Sequence, residues 1–152
     1  MNNKNDEIKN WKLNEVIDHI EILSKKIIDL TSFLHSHNVP QSEVLTGINR
    51  SETIIDWLKM NNYYQIFFDF ENSENVIKGY FKNSEIFKYL NVIILYDSNF
   101  LVKIWTEIFI NDWEDFLQST KYETIIFSED YKLVMEVTRD YHIHSNFKID
   151  NL

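Results

Sequence analysis

The spacing of apolar residues changes character near residue 63. Over 13–34, Leu13, Val16, Ile17, Ile20, Leu23, Ile27, Leu30 and Leu34 recur at a period of about 3.6, which predicts one long amphipathic helix. Ile22 and Phe33 fall nearly opposite that stripe, where they can meet a second layer, a partner or only solvent. Asn38-Val39-Pro40-Gln41 ends the helix, because the residue before a proline avoids helical geometry. Ser51 as N-cap and Glu52 in the first turn open a shorter helix through Ile54, Ile55, Trp57, Leu58 and Met60. Residues 42–50 read as a loop with one helical turn.

Beyond residue 63 the alternation is two-fold. Tyr64, Ile66, Phe68 and Phe70 share one side of 63–71, and Ile77, Gly79 and Phe81 share one side of 76–82. With the turn Asn72-Ser73-Glu74-Asn75 between them, the two runs predict a β-hairpin. Residues 92–96 are apolar on both sides, the pattern of a central strand. Residues 101–110 fit a helix through Leu101, Ile104, Trp105 and Ile108, but their β-branched and aromatic content favours a strand. A short helix over 112–118, capped by Asn111, follows. Three strands, 122–128, 131–138 and 141–149, close the chain. A three-residue loop 139–141 sets Val137 against Ile143, Leu133 against Phe147, Glu136 against His144 and Thr138 against His142. Register follows burial, so this pairing is preferred to the two-residue alternative.

The fold class expected is therefore α+β. N-terminal amphipathic helices pack on a mainly antiparallel sheet of six to seven strands, with the long helix covering one face. The 152 residues suit a single domain with a polar tail over 1–12, a helical part over 13–62 and a β-rich part over 63–152. Alanine is absent, while isoleucine occurs 21 times, asparagine 17 times, and lysine outnumbers arginine 13 to 2. This is the residue usage of A/T-rich codons, as in a low-GC bacterium, phage or virus. No cysteine means no disulfide or thiolate metal site, and two glycines leave no phosphate-binding loop. The first ten residues are polar and no run approaches the roughly 18 apolar residues of a membrane span. A cytoplasmic protein is expected, or one carried out by other machinery.

Candidate chemistry is sparse. Strand alternation places His142 and His144 on one side, and the register adds Glu136; two imidazoles and a carboxylate are a possible zinc or iron shell. Asn146 and Lys148 continue that side, which equally describes a solvated polar face. His35 and His37 would project about 200° apart on a helix and so cannot chelate together. Asp69 and Glu71 share a strand face and can serve acid–base chemistry or simply solubility. No catalytic triad or nucleophile elbow is present, and no cofactor is implied.

Charge is more informative. The net charge is −9, which excludes the basic footprint of a nucleic-acid binder. A helix-turn-helix reading of 13–34 and 51–61 fails on the same ground, with Arg50 its only arginine. Residues 1–62 carry a net −2 and residues 63–152 a net −7; within 107–130 it is −6. There Asp112, Glu114, Asp115, Glu129 and Asp130 alternate with Trp113 and Tyr131. Aromatic anchors beside carboxylates suit docking of a basic protein, although a solvated acidic surface has the same composition. Small size, acidity, the missing catalytic motif, the codon bias and the stretch Asn111-Asp112-Trp113-Glu114-Asp115-Phe116-Leu117 after a strand together resemble bacterial toxin-immunity proteins and phage-encoded inhibitors. The resemblance implies a non-enzymatic inhibitor that neutralises a basic toxin, often a nuclease, with no direct nucleic-acid or membrane contact. The alternatives are a small metal-dependent enzyme built on His142, His144 and Glu136, or a self-assembling protein joined through Ile22 and Phe33 or through an uncovered face of the β-rich half.

Overall fold

The computed structural model describes residues 10–24, 28–42, 53–69, 74–96, 100–119, 124–138 and 141–149. Seven strands form one antiparallel sheet: β1 (Ile20–Ser24), β2 (Tyr64–Phe67), β3 (Asn91–Tyr96), β4 (Phe100–Trp105), β5 (Thr124–Ser128), β6 (Val134–Val137) and β7 (His142–Ser145). Their order across the sheet is β1-β4-β3-β5-β6-β7-β2. Five α-helices are described: α1 (Trp11–Glu15), α2 (Leu30–Ser36), α3 (Glu74–Lys82), α4 (Thr106–Asn111) and α5 (Trp113–Gln118). The α+β class and the antiparallel sheet match the expectation.

Both faces of the sheet are covered. One carries Ile20, Val92, Ile94, Val102, Ile104, Ile126, Met135, Val137 and Ile143, packed with Leu13 of α1, Ile77 and Phe81 of α3, Phe109 and Ile110 of α4, and Trp113 and Phe116 of α5. The other carries Ile93, Leu95, Leu101, Ile125, Phe127 and Val134, packed with Leu34 of α2, Val39, Ile55 and Trp57. Strand β3 feeds both cores, as a run apolar on both sides must. Each fully buried aliphatic or aromatic side chain contributes about 1.5–3 kcal/mol of transfer free energy.

Several expectations fail for physical reasons. The long helix over 13–34 does not form. The described part of its stripe is shared among α1, a 3-10 turn at Ile17–His19, edge strand β1 and α2, and Ile27 lies outside the described residues. Ile20 and Ile22 also satisfy a two-residue alternation, and pairing them with Ile104 and Val102 of β4 satisfies their main chain across a ladder. Trp11 and Lys12 belong to α1 instead of a polar tail. Ile22 packs on the first core and Phe33 on the second, so both are committed within the chain. The expected strand over 76–82 is α3: Ile77 and Phe81 are four residues apart and both buried, a helical spacing. Strand β2 therefore pairs with β7 instead of forming a hairpin with that run. Residues 101–110 divide, with β4 ending at Trp105 and α4 beginning at Thr106. Asn111 ends α4, and Asp112 precedes α5 without a side-chain capping bond. Among the described residues of 51–61 only a 3-10 turn at Trp57–Lys59 remains.

Other expectations hold. Asn38 takes a left-handed φ of 58°, and the Val39 and Asn38 amides donate to Leu34 and His35 carbonyls at 2.9 and 3.1 Å. This is a Schellman stop followed by Pro40. In the β6–β7 pair, Glu136 lies opposite His144 and Val137 opposite Ile143, and the Thr138 amide donates to the His142 carbonyl at 3.0 Å. No described helix is long and apolar enough to cross a membrane.

Candidate functional site

The β6–β7 register brings Glu136 and His144 side by side, and the structure gives them structural partners. The Glu136 carboxylate is fully buried on the second face of the sheet. It accepts from the Ile54 amide at 2.7 Å, the Ile55 amide at 3.1 Å and the Trp57 indole N–H at 3.0 Å. Those donors explain why 53–57 is not helical: its amides bond to a carboxylate instead of to a preceding turn. His144 shares a 2.7 Å hydrogen bond between Nδ1 and the Tyr63 hydroxyl, and its ring lies in offset stacks with Tyr63 and Trp57. Glu136 and His144 thus clamp the covering segment, whereas the His142 ring meets Phe67 of β2 edge-on. Among the described residues no group of three or more His, Asp or Glu is placed to hold a metal ion. His35 sits exposed in the last turn of α2, and His37 is its C-cap. Asp69 is exposed beyond β2, and Glu71 lies outside the described residues.

The seven acidic and aromatic candidates do not form one surface. Asp112, Trp113, Glu114 and Asp115 belong to the helical layer on the first face. Tyr131 packs on the second core, across the sheet. Trp113 is fully buried: its indole N–H donates to the Glu74 carbonyl at 3.0 Å and its ring meets Phe68 and Phe81 edge-on. It is a core residue, which corrects its expected role as an anchor. Glu114 is nearly buried as well.

Asp112 and Asp115 remain half-exposed, and what organises them is Lys12. The Lys12 side chain is fully buried, yet its ammonium reaches Asp112 at 2.8 Å, Glu15 at 3.5 Å and Asp115 at 3.8 Å. The stem runs over Phe116, with Nζ 5.2 Å from the ring centre. Burial alone would pull this ammonium down. The Asp112 hydrogen bond and the three nearby carboxylates outweigh it and hold the pKa above the ordinary lysine value. One cation thus fixes three anions, with Trp11, 52 % exposed, one residue along the chain. Sequence reasoning missed Lys12, Glu15 and Trp11 because a lone lysine among polar residues gives no sign of burial.

Glu129, Asp130 and Tyr131 form the β5–β6 turn. A 2.8 Å pair with Lys103 holds the Glu129 carboxyl below its usual range. Burial pushes Asp130 up, but bonds from the Lys132 amide, the Ser128 hydroxyl and the Tyr89 hydroxyl bring it below its ordinary value. Tyr131 has φ 63°, unfavourable for a bulky residue. The turn holds its ring 3.8 Å from that of His37, stacked at 11°. Asp130 and Tyr131 line a cleft of about 480 Å³ together with His37, Asn38, Lys59 and Lys132. Asp130 is the single acid of this lining, set against Lys59 and Lys132.

No family model, curated protein or solved structure matches the chain.

Proposed function

We propose that this chain is a non-enzymatic, acidic protein-binding module of the immunity type, which neutralises a basic partner such as a nuclease. The observation that carries the reading is the Lys12 cluster. Three carboxylates, Glu15, Asp112 and Asp115, are each about half-exposed and share one buried cation, leaving a local charge of −2. Carboxylates already held in place lose little side-chain freedom on meeting a cationic surface, and their field speeds encounter. Trp11 supplies aromatic area for burial next to them. Glu129 and Asp130 contribute less, because Lys103 and local hydrogen bonds already engage them.

The test is co-expression with the product of the neighbouring gene, followed by purification and an activity assay of that product. A stable complex in which the partner is inactive supports the proposal. Loss of the complex in a Glu15→Gln/Asp115→Asn/Trp11→Ala variant assigns it to this surface. A partner that stays fully active in the complex refutes the inhibitor reading, and a complex indifferent to those substitutions refutes the surface.

A further inference from the structure

The two edges of the sheet are guarded differently. Edge strand β1 carries Glu21 and a register irregularity between Ile22 and Ser24, both devices that discourage a further strand. Edge strand β2 carries neither. Its sequence Tyr64-Gln65-Ile66-Phe67 is uncharged and its ladder with β7 is regular. Residues Tyr63 to Phe68 contain no charge at all. Phe67 is 65 % exposed and Tyr64 41 %.

We infer that β2 is a self-association edge at which a second copy of this chain adds antiparallel, continuing the sheet across a two-fold axis. The main-chain geometry is self-complementary. The Phe68 amide donates to the Tyr141 carbonyl at 2.8 Å, which fixes the alternation of the ladder. Tyr64, Ile66 and Phe68 then bond inward to β7, and the N–H and C=O groups of Gln65 and Phe67 point to the open side. Two copies related by a two-fold axis at Ile66 set Gln65 of each against Phe67 of the other and satisfy all four residues reciprocally.

The reciprocal Gln65–Phe67 pairing selects a second copy as the occupant. Two chains of net −9 repel wherever their acids meet, so they approach best along an uncharged edge. A basic partner is drawn to the Lys12 cluster instead. Tyr63, Tyr64 and Phe67 expose about 300 Å² of aromatic surface per copy, taking about 200 Å² for a whole aromatic side chain. Two copies supply about 600 Å², half of the roughly 1,200 Å² at the lower bound of stable interfaces. The association is therefore at the weak end, and screening of the −9 charges tightens it as salt rises.

Analytical ultracentrifugation of the full chain from low concentration up to about 1 mM, the weak end of specific association, tests this. The expected result is a mass rising from 18.4 kDa towards twice that value, more steeply at high salt. Phe67→Lys places a guarding charge on the edge and Gln65→Pro removes an outward N–H; each should shift the midpoint at least tenfold, whereas Leu23→Lys on β1 should not. Should a variant fail to fold, hydrogen exchange on the unmodified chain decides, with Gln65 and Phe67 amides gaining protection as concentration rises. A chain that stays monomeric throughout overturns the inference, as does dimerisation with concentration-independent exchange at those two amides. Dimerisation equally strong in folded Phe67→Lys and Gln65→Pro variants also overturns it. None of these outcomes depends on the basic-partner proposal, whose binding weakens with salt.

Discussion

Replacing Glu136 by glutamine isolates what the buried carboxylate does. In the native chain Oε1 accepts from the Ile55 amide and the Trp57 indole, and Oε2 accepts from the Ile54 amide. Glutamine keeps one oxygen but turns an NH₂ group towards a third donor, so one N–H faces another in a buried site. Each hydrogen bond to a charged acceptor contributes about 1.5–3 kcal/mol, and an orphaned buried donor costs about 1–3 kcal/mol. Loss of one bond and weakening of two gives about 2–4 kcal/mol. At about 2–4 °C per kcal/mol for a chain of this length, Glu136→Gln should lower Tm by about 5–15 °C. Urea denaturation followed by circular dichroism should show a lower midpoint with unchanged slope, and Ile54 and Ile55 amides should lose exchange protection. EDTA should move neither protein, because nothing in this clamp calls for a metal. A variant within about 0.5 kcal/mol of the native chain, the range of ordinary surface substitutions, would refute the clamp.

Other consequences follow from the same geometry. Tyr131 and Tyr141 both have φ 63°, a conformation costing about 1–3 kcal/mol that asparagine tolerates better. Tyr141 is about half exposed and meets Phe68 edge-on, so Tyr141→Asn should raise Tm, whereas Tyr131→Asn should lower it by losing packing on His37, Phe33 and Phe127. Burial lowers the His37 pKa from its ordinary 6.5, so the unfolded chain binds the proton first. Stability at His37 is fully present above pH 6.5 and is lost as pH falls from there through the folded value; His37→Phe should flatten that limb in pH-dependent melts. Asp112→Asn weakens the 2.8 Å partner of a buried ammonium and should destabilise by about 1–3 kcal/mol, whereas Asp115→Asn, 3.8 Å away, should cost under about 0.5 kcal/mol in urea titrations.

Strands buried on both sides or paired within the chain's last forty residues were legible from alternation, although the expected runs 131–138 and 141–149 shorten to Val134–Val137 and His142–Ser145. Residues 92–96 and the β6–β7 register are the clear cases, because slipping Val137 off Ile143 would turn every apolar residue to the wrong face. The N-terminal half was not legible. Isoleucine is so frequent that 13–34 satisfies a helical stripe and a strand at once, and only the free side of β4, distant in sequence, decides between them. In 74–82, alternation through Ile77, Gly79 and Phe81 coincides with the four-residue spacing of a helix face, and burial against α4 and the 3-10 turn Glu85–Lys88 favours the helix. The acids of 112–115 were visible as charge. That Trp113 is core, Glu114 nearly buried and Lys12 the hub of the cluster depends on α1 packing against α5, a contact across about a hundred residues that local pattern does not encode. Glu136 was singled out as a ligand because its N–H donors lie some eighty residues away.

A basic partner is proposed to dock on Glu15, Asp112 and Asp115, held by Lys12. Calorimetric titration of the neighbouring gene's product into the native chain, at about 50 and about 300 mM salt, tests it most directly, since exposed charges lose most of their attraction over that range. Affinity should be at least tenfold weaker at the higher salt, with a further tenfold loss in folded Glu15→Gln/Asp115→Asn. Affinity that is unchanged or stronger at high salt, or intact in that variant, would contradict it.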